Sequence, residues 1–264
     1  MPIIKYMTGG GQTLKLLNKK ITAFAMALVL AASLFTGCGN SEGTSSDDSR
    51  PAMASAEEQA RTEQLKKDAE NGLFILINKE NPVAEDYCAD DLAPIKYYAE
   101  DRDPQWRYMR SEAADHFHEM VEAARADGID FVMTTAYRSY GFQSILWDNA
   151  INRYGSEEAA NTLVAKPGQS EHQSGLDVDI SSAENDYQLN ENFGDTEAGK
   201  WVAAHAAEYG FILRYPADKT DITGYNFEPW HVRYVGKTAA EEITEQGIVL
   251  EEYVEQLKDE GIIK

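Results

Sequence analysis

Positive charge is what this sequence has least of. Against 45 Asp and Glu it carries only 24 Lys and Arg in 264 residues, a formal net charge of −21. A surface of that sign repels phosphate backbones and anionic lipid heads, which excludes nucleic acid as a partner and leaves any anionic ligand to be held by local positive charge. Cysteine is nearly absent, with Cys38 and Cys88 allowing one disulfide at most. No internal repeat is visible, so no repeat architecture is indicated. An apolar run of membrane-spanning length is also missing; Ile21 to Phe35 is short for a span and has the length of a signal-peptide h-region. What is present, 43% hydrophobic and 10% aromatic residues, is enough for a packed core.

The N-terminal segment reads as an address. Lys15, Lys19 and Lys20 precede the apolar run, and Phe35-Thr36-Gly37-Cys38 follows it. This resembles the lipobox of bacterial lipoproteins, with Phe35 where leucine is usual. The resemblance implies cleavage before Cys38, diacylation of its thiol, and an extracytoplasmic protein lipid-anchored to the cell membrane. Two acyl chains, at about 0.8 kcal/mol per buried methylene, anchor stably. An ordinary signal peptide with an incidental cysteine is the alternative. Residues 1–37 hold four lysines and no acid, so the mature chain has 20 bases against 45 acids, a net −25. Once Cys38 is acylated, Cys88 has no disulfide partner; in Tyr87-Cys88-Ala89-Asp90-Asp91, without a neighbouring histidine, it is read as a small half-buried side chain. The expected division is therefore 1–37 signal peptide, 38–56 flexible tether rich in Ser, Gly, Thr, Asp and Ala, 57–72 charged helical linker, and 73–264 one domain.

Within that domain Phe74 to Ile77 reads as a strand closed by a turn at Asn78 and Asn81-Pro82. Ser111 is expected to cap a helix with Ala114, Phe117, Val121 and Ala124 on one face, stopped by Gly128. Phe131–Thr135, Leu176–Ile180, Phe211–Leu213 and His231–Val235 read as strands. One further helix begins near Phe142, and another, capped by Asp195 or Thr196, runs through Trp201 to Gly210. Helices and strands interleave without a βαβ rhythm, so the fold class is α+β.

Five histidines are available for chemistry. His116 and His118 stand about 200° apart on a helix and cannot share a metal, and His205 is taken as lacking a partner on the Trp201 helix. His172 and His231 have different surroundings, Ser170-Glu171-His172-Gln173-Ser174-Gly175-Leu176-Asp177-Val178-Asp179 and Glu228-Pro229-Trp230-His231. A catalytic zinc takes three protein ligands and keeps a position open for water, whose pKa falls to about 7. Two histidines and one aspartate supply such a set, and a carboxylate outside the set must carry the proton; Glu228, three residues before His231, is well placed. Pro229 keeps Glu228 out of a helix, in a turn that feeds the strand at His231. Gly175 lets the backbone turn between His172 and the strand of Asp179.

Ser-x-His-x-x-Gly-x-x-x-Asp followed by Glu-x-x-His resembles the VanY-type zinc D-alanyl-D-alanine carboxypeptidases, related to the D-Ala-D-Ala dipeptidases. Leu76-Ile77-Asn78-Lys79 with Asn81-Pro82, Tyr137-Arg138-Ser139 with Gln143, Arg214-Tyr215-Pro216 and Thr223-Gly224-Tyr225 carry the likeness further, from about Leu73 to Gly236. It implies a single zinc-peptidase domain with a small antiparallel sheet and flanking helices. By position it implies His172, Asp179 and His231 as ligands of one zinc ion, Glu228 as general base and acid, and Arg138 as the group that polarises the substrate. Gln143 and Ser170 correspond to substrate contacts, and Trp230 lines the site or packs behind it. The implied activity is hydrolysis of peptidoglycan stem peptides of the cell wall, a metalloprotease removing a terminal D-alanine as a D,D-carboxypeptidase and acting as a monomer. L,D-cleavage of tetrapeptide stems is the nearest alternative, and a non-catalytic peptidoglycan-binding lipoprotein the alternative of another class. Asp177 departs from the alanine usual in the family. It is read as a water-facing acid at a strand edge, or as a group that adds charge near the zinc or holds a ligand histidine.

Overall fold

Backbone pairing sets up the site before any side chain is considered. The computed structural model describes residues 49–161 and 163–264, and side chains from residue 55 onward; the expected signal peptide and Cys38 lie outside the described residues. In chain order it runs through helix α1 (Ser49–Glu70), strands β1 (Leu92–Pro94) and β2 (Tyr108–Arg110), helix α2 (Ser111–Ala126), strand β3 (Val132–Thr135) and helices α3 (Tyr140–Tyr154) and α4 (Glu157–Ala160). Strand β4 (Asp177–Ser181), helix α5 (Glu197–His205), strand β5 (Phe211–Leu213), helix α6 (Thr220–Thr223), strand β6 (His231–Tyr234) and helices α7 (Lys237–Gln246) and α8 (Leu250–Asp259) complete it.

The main sheet has the order β3-β4-β6-β5 with every neighbouring pair antiparallel, and β1 pairs with β2 in a second small sheet. This is the α+β fold with a small antiparallel sheet that the sequence implies. Side chains alternate faces along a strand. Val178, Ile180, Val232 and Tyr234 therefore join the hydrophobic core, while Asp177, Asp179, His231 and Arg233 share the opposite face. The register sets Asp179 beside His231 and Asp177 beside Arg233, so two strands gather four polar residues. Pairing of β3 with β4 slips between Met133 and Thr135, where the Thr134 hydroxyl donates to the Asp179 carbonyl at 3.1 Å; such irregularities re-aim side chains next to active sites.

Helix α2 buries Ala113, Ala114, Phe117, Met120, Val121 and Ala124, the face expected from its spacing, but Ser111 does not cap it. Arg110 occupies the cap position without a side-chain hydrogen bond, because the chain enters the helix directly from β2. Thr196 does cap α5, its hydroxyl accepting from Gly199 N at 2.9 Å. The expected strand at Phe74–Ile77 does not form. The carbonyls of Leu73 and Ile75 instead accept from Arg233 Nη2 at 2.9 and 3.0 Å, so a buried guanidinium takes the place of a neighbouring strand.

Helix α1 was expected as a linker outside the domain, and no helix was anticipated at α8 within it. Helix α1 covers the expected linker 57–72 and the end of the expected tether, and it docks: Leu65 is fully buried, and Arg61 pairs with Glu242 of α7 at 2.7 Å and with Glu260 at 2.8 Å. Helix α8 buries Leu250, Tyr253, Val254 and Leu257, a helical apolar stripe. Among the described residues no helix is long and apolar enough to cross a membrane.

Candidate active site

The turn that ends at Gly175 brings the first histidine to the sheet. Residues Glu171–Ser174 form a 3-10 turn, and Gly175 leaves it at φ 70, where a Cβ would meet Leu92 Cδ2 at 2.9 Å; glycine alone suits both demands. The amide of Arg138 donates to the His172 carbonyl at 3.0 Å, which holds the arginine against the histidine turn. On the other side, Glu228-Pro229-Trp230 makes the turn into β6, closed by His231 N donating to Glu228 O at 3.1 Å. His172, Asp179 and His231 are all buried and Glu228 is half-buried.

Asp179 is the hub. Its Oδ1 lies 2.9 Å from His231 Nδ1, its Oδ2 3.3 Å from His172 Nε2, and Arg138 Nη2 donates to that Oδ2 at 3.3 Å. Glu228 Oε2 stands 3.9 Å from the same His231 nitrogen. Bonds of about 2.0–2.1 Å in a tetrahedron put neighbouring ligand atoms about 3.3 Å apart, and the two approaches to Asp179 are close to that edge. Among the described residues the possible metal group, one atom from each lying within 4.8 Å of the others, joins the two histidines with Asp177. Its Oδ2, however, is only 2.5 Å from His172 Nδ1, too short for two ligands of one ion. The distances from Asp179 to the two histidines are compatible with a divalent cation on His172 Nε2, His231 Nδ1 and Asp179, the set the family resemblance implies.

Behind each histidine stands another acid. Asp177 faces His172 Nδ1, while His231 Nε2 meets Glu171 Oε2 at 3.1 Å. Glu171 is gripped in turn by Arg214 Nε at 2.8 Å and Arg233 Nη1 at 2.7 Å, and Arg214 continues to Glu251 of α8 at 2.6 Å. Burial opposes the charge on Glu171, but Arg214, Arg233 and His231 hold its carboxyl well below the usual carboxylate range. Asp179 is likewise lowered, because His172 and His231 outweigh its burial. Burial pulls both histidines down, yet the carboxylates around them raise them: Asp177 and Asp179 for His172, Asp179 and Glu171 for His231. Burial pushes the Glu228 carboxyl up, with Asp179 adding to the effect and His231, His172 and Arg138 opposing it.

These groups open onto a cleft of about 870 Å³. Arg138, Gln143, Ser170 and Trp230 all line it with the metal set and Glu228, so the structure brings every expected domain site residue together. Gln143 donates to the Ala165 carbonyl at 2.7 Å, and its Oε1 is buried without a partner. The aromatic part of the wall, with Tyr215 stacked 4.9 Å from His231 and 4.6 Å from Tyr225, was not read as site from the sequence, although both tyrosines lie in the quoted motifs. Glu171, adjacent to His172, was also missed. The water-facing reading of Asp177 is overturned: it is fully buried, since the histidine turn closes over β4. Cys88, expected half-buried, is exposed and accepts from the Tyr137 hydroxyl at 3.2 Å. The three remaining histidines stay outside the site. His118 accepts from Lys96 N, His116 pairs with Glu119, and His205, taken as partnerless, pairs with Glu208 one turn on at 2.8 Å.

Comparison with known proteins points to one family. Residues 106–237 match the family described as VanY: D-alanyl-D-alanine carboxypeptidase. YodJ of Bacillus subtilis (strain 168) is 38% identical over 89% of this chain and 96% of its own. Among solved structures, the LdcB LD-carboxypeptidase shares 46% identity and a TM-score of 0.65 over 68% of this chain and 84% of that one. The vancomycin resistance D,D-pentapeptidase VanY, solved as a variant in complex with Zn(II), shares 34% identity and a TM-score of 0.57 over 69% and 98%.

Proposed function

The chain belongs to the VanY family of D-alanyl-D-alanine carboxypeptidases, and on that premise we propose that it is a zinc-dependent carboxypeptidase releasing the C-terminal D-alanine from peptidoglycan stem peptides. The observation that carries the proposal is the open side of the His172–Asp179–His231 cluster, with Glu228 beside it and Arg138 at its edge, at the wall of a peptide-sized cleft. A zinc ion held there supplies electrophilic pull on the scissile carbonyl and a water acidic enough to react near neutral pH. Glu228 takes the proton of the attacking water and hands it to the amine of the departing D-alanine as the carbon–nitrogen bond breaks. Arg138 presents a planar, permanently charged fork to the oxygen on which negative charge develops. Gln143, with its buried unpaired Oε1, accepts from a donor of the substrate, Ser170 adds a hydroxyl, and Trp230 provides apolar wall.

The same machinery serves a pentapeptide ending in D-Ala-D-Ala or a tetrapeptide ending in one D-alanine. The higher identity and TM-score with the LD-carboxypeptidase favour L,D-cleavage of tetrapeptides over the D,D-cleavage put first from sequence. Purified enzyme given defined penta- and tetrapeptide stems decides between them: the tetrapeptide should be preferred at least about tenfold in kcat/KM. A pentapeptide preference restores the D,D reading, and release of D-alanine from neither stem overturns the proposal. The proposal also places the enzyme, as a monomer, outside the cell membrane on a lipid anchor at Cys38, a reading supported by the motif at 35–38.

A further inference from the structure

Asp177 is a fully buried carboxylate that the proposed reaction leaves unused. It does not line the cleft, and it contacts no arginine: Arg214 and Arg233, the nearest buried cations, are both spent on Glu171. Its close polar neighbours are three. Ser174 Oγ donates to Oδ1 at a long 3.4 Å, His231 Nε2 lies 3.6 Å from Oδ2, and His172 Nδ1 lies 2.5 Å from Oδ2. Despite that close approach, neither Oδ2 nor His172 Nδ1 has a hydrogen-bond partner of good geometry, each other included, so the pair meets as a short contact between a carboxylate and a ring nitrogen. A carboxylate taken wholly out of water needs compensating positive charge, and here the shortest route to it runs through the imidazole of His172, with His231 farther off.

That ring has Asp177 at Nδ1 and the open metal position at Nε2, on opposite edges. We infer that Asp177 is a positioning residue for the metal centre: it holds the proton on His172 Nδ1, fixes the ring so that Nε2 faces the cleft, and raises the donor strength of that nitrogen. It matches, on the first histidine, what Glu171 does for His231. The two acids differ in their support, since Glu171 has two guanidinium partners and Asp177 has none, so Asp177 depends on the ion across the ring. Removing a group of this kind weakens metal binding about 10–100-fold.

The inference rests on the metal reading of the site, and the test separates the two. Zn2+ affinity is measured by chelator competition on the wild type, Asp177→Asn and Asp177→Ala, and metal-free melting is recorded in parallel. A structural role alone would lower metal-free melting and leave the affinity of the folded protein unmoved. A positioning role lowers the affinity of the folded protein for Zn2+, whichever way metal-free melting moves. It weakens Zn2+ binding tenfold or more in Asp177→Ala and by a smaller factor in Asp177→Asn, whose amide oxygen still accepts from Nδ1. Affinity within twofold of wild type in both variants overturns the inference, as does loss of all zinc from both at saturation, which would make Asp177 a ligand. If Asp177→Ala does not fold, Asp177→Asn alone decides by the same criterion. Failure of the wild type to bind Zn2+ would instead overturn the metal reading itself.

Discussion

Single residues in this protein do work that their neighbours in sequence do not disclose. Asp68 illustrates it away from the site. It sits near the C-terminal end of α1, where the helix dipole disfavours negative charge; it is almost fully buried, and its Oδ2 has no partner. Burial raises its carboxyl, with Gln64 opposing and Glu112 adding to the effect. An acid raised on folding favours the folded state when protonated, so stability is lost as pH rises through the ordinary aspartate range, and the full cost is present above the raised value. Asp68→Asn should therefore raise Tm at pH 7, with the gain shrinking to nothing as pH falls below about 4, the range where an ordinary aspartate is protonated in both states. A Tm gain independent of pH would show that packing, not charge, is responsible. At the site the same logic separates the carboxylates. Cationic neighbours outweigh burial at Glu171 and Asp179 and lower both, while at Glu228 burial outweighs the pull of His231, His172 and Arg138 and raises the carboxyl.

At the scale of elements, what was legible in the sequence is what depends on local spacing. His172, Gly175 and Asp179 lie within one turn and one strand, and Glu228 and His231 within another, so their arrangement follows from strand alternation and two turn-forming residues. What was hidden depends on partners far along the chain. Glu171 gains its meaning from Arg214 and Arg233, 43 and 62 residues away. The Phe74–Ile77 segment looked like a strand because its side chains are apolar; it is not one because its carbonyls are claimed by Arg233. Helix α1 looked like a linker for the opposite reason, its few apolar residues concealing Leu65 as an anchor. Leu65→Ala should lower stability by about 3 kcal/mol, as for other buried leucines, read by chemical denaturation. A change below about 0.5 kcal/mol, the scale of surface substitutions, would mean that α1 is the loose connector first expected.

For the molecule as a whole, the proposed lipid anchor would supply location and the domain the chemistry. Net charge makes general electrostatic attraction to an anionic wall unfavourable, so on the proposed anchor the enzyme would meet its substrate by proximity, with Arg138 the one arginine among the described residues that lines the cleft. Cys38→Ser should release the protein from the membrane fraction or leave it unprocessed; a wild-type protein that is soluble and begins elsewhere than Cys38 would refute the anchor.

The central claim, that a three-ligand metal centre works with Glu228 as its proton carrier, is tested most directly by turnover and zinc content of Glu228→Gln together. The substitution keeps size and shape and removes the base. The variant should hold about one zinc per chain, melt as the wild type does, and lose about 10²–10⁴-fold in turnover on the stem peptide that the wild type cleaves. Unchanged turnover with zinc in place would assign the proton transfer to another group, and loss of zinc would make Glu228 a ligand; either result contradicts the account.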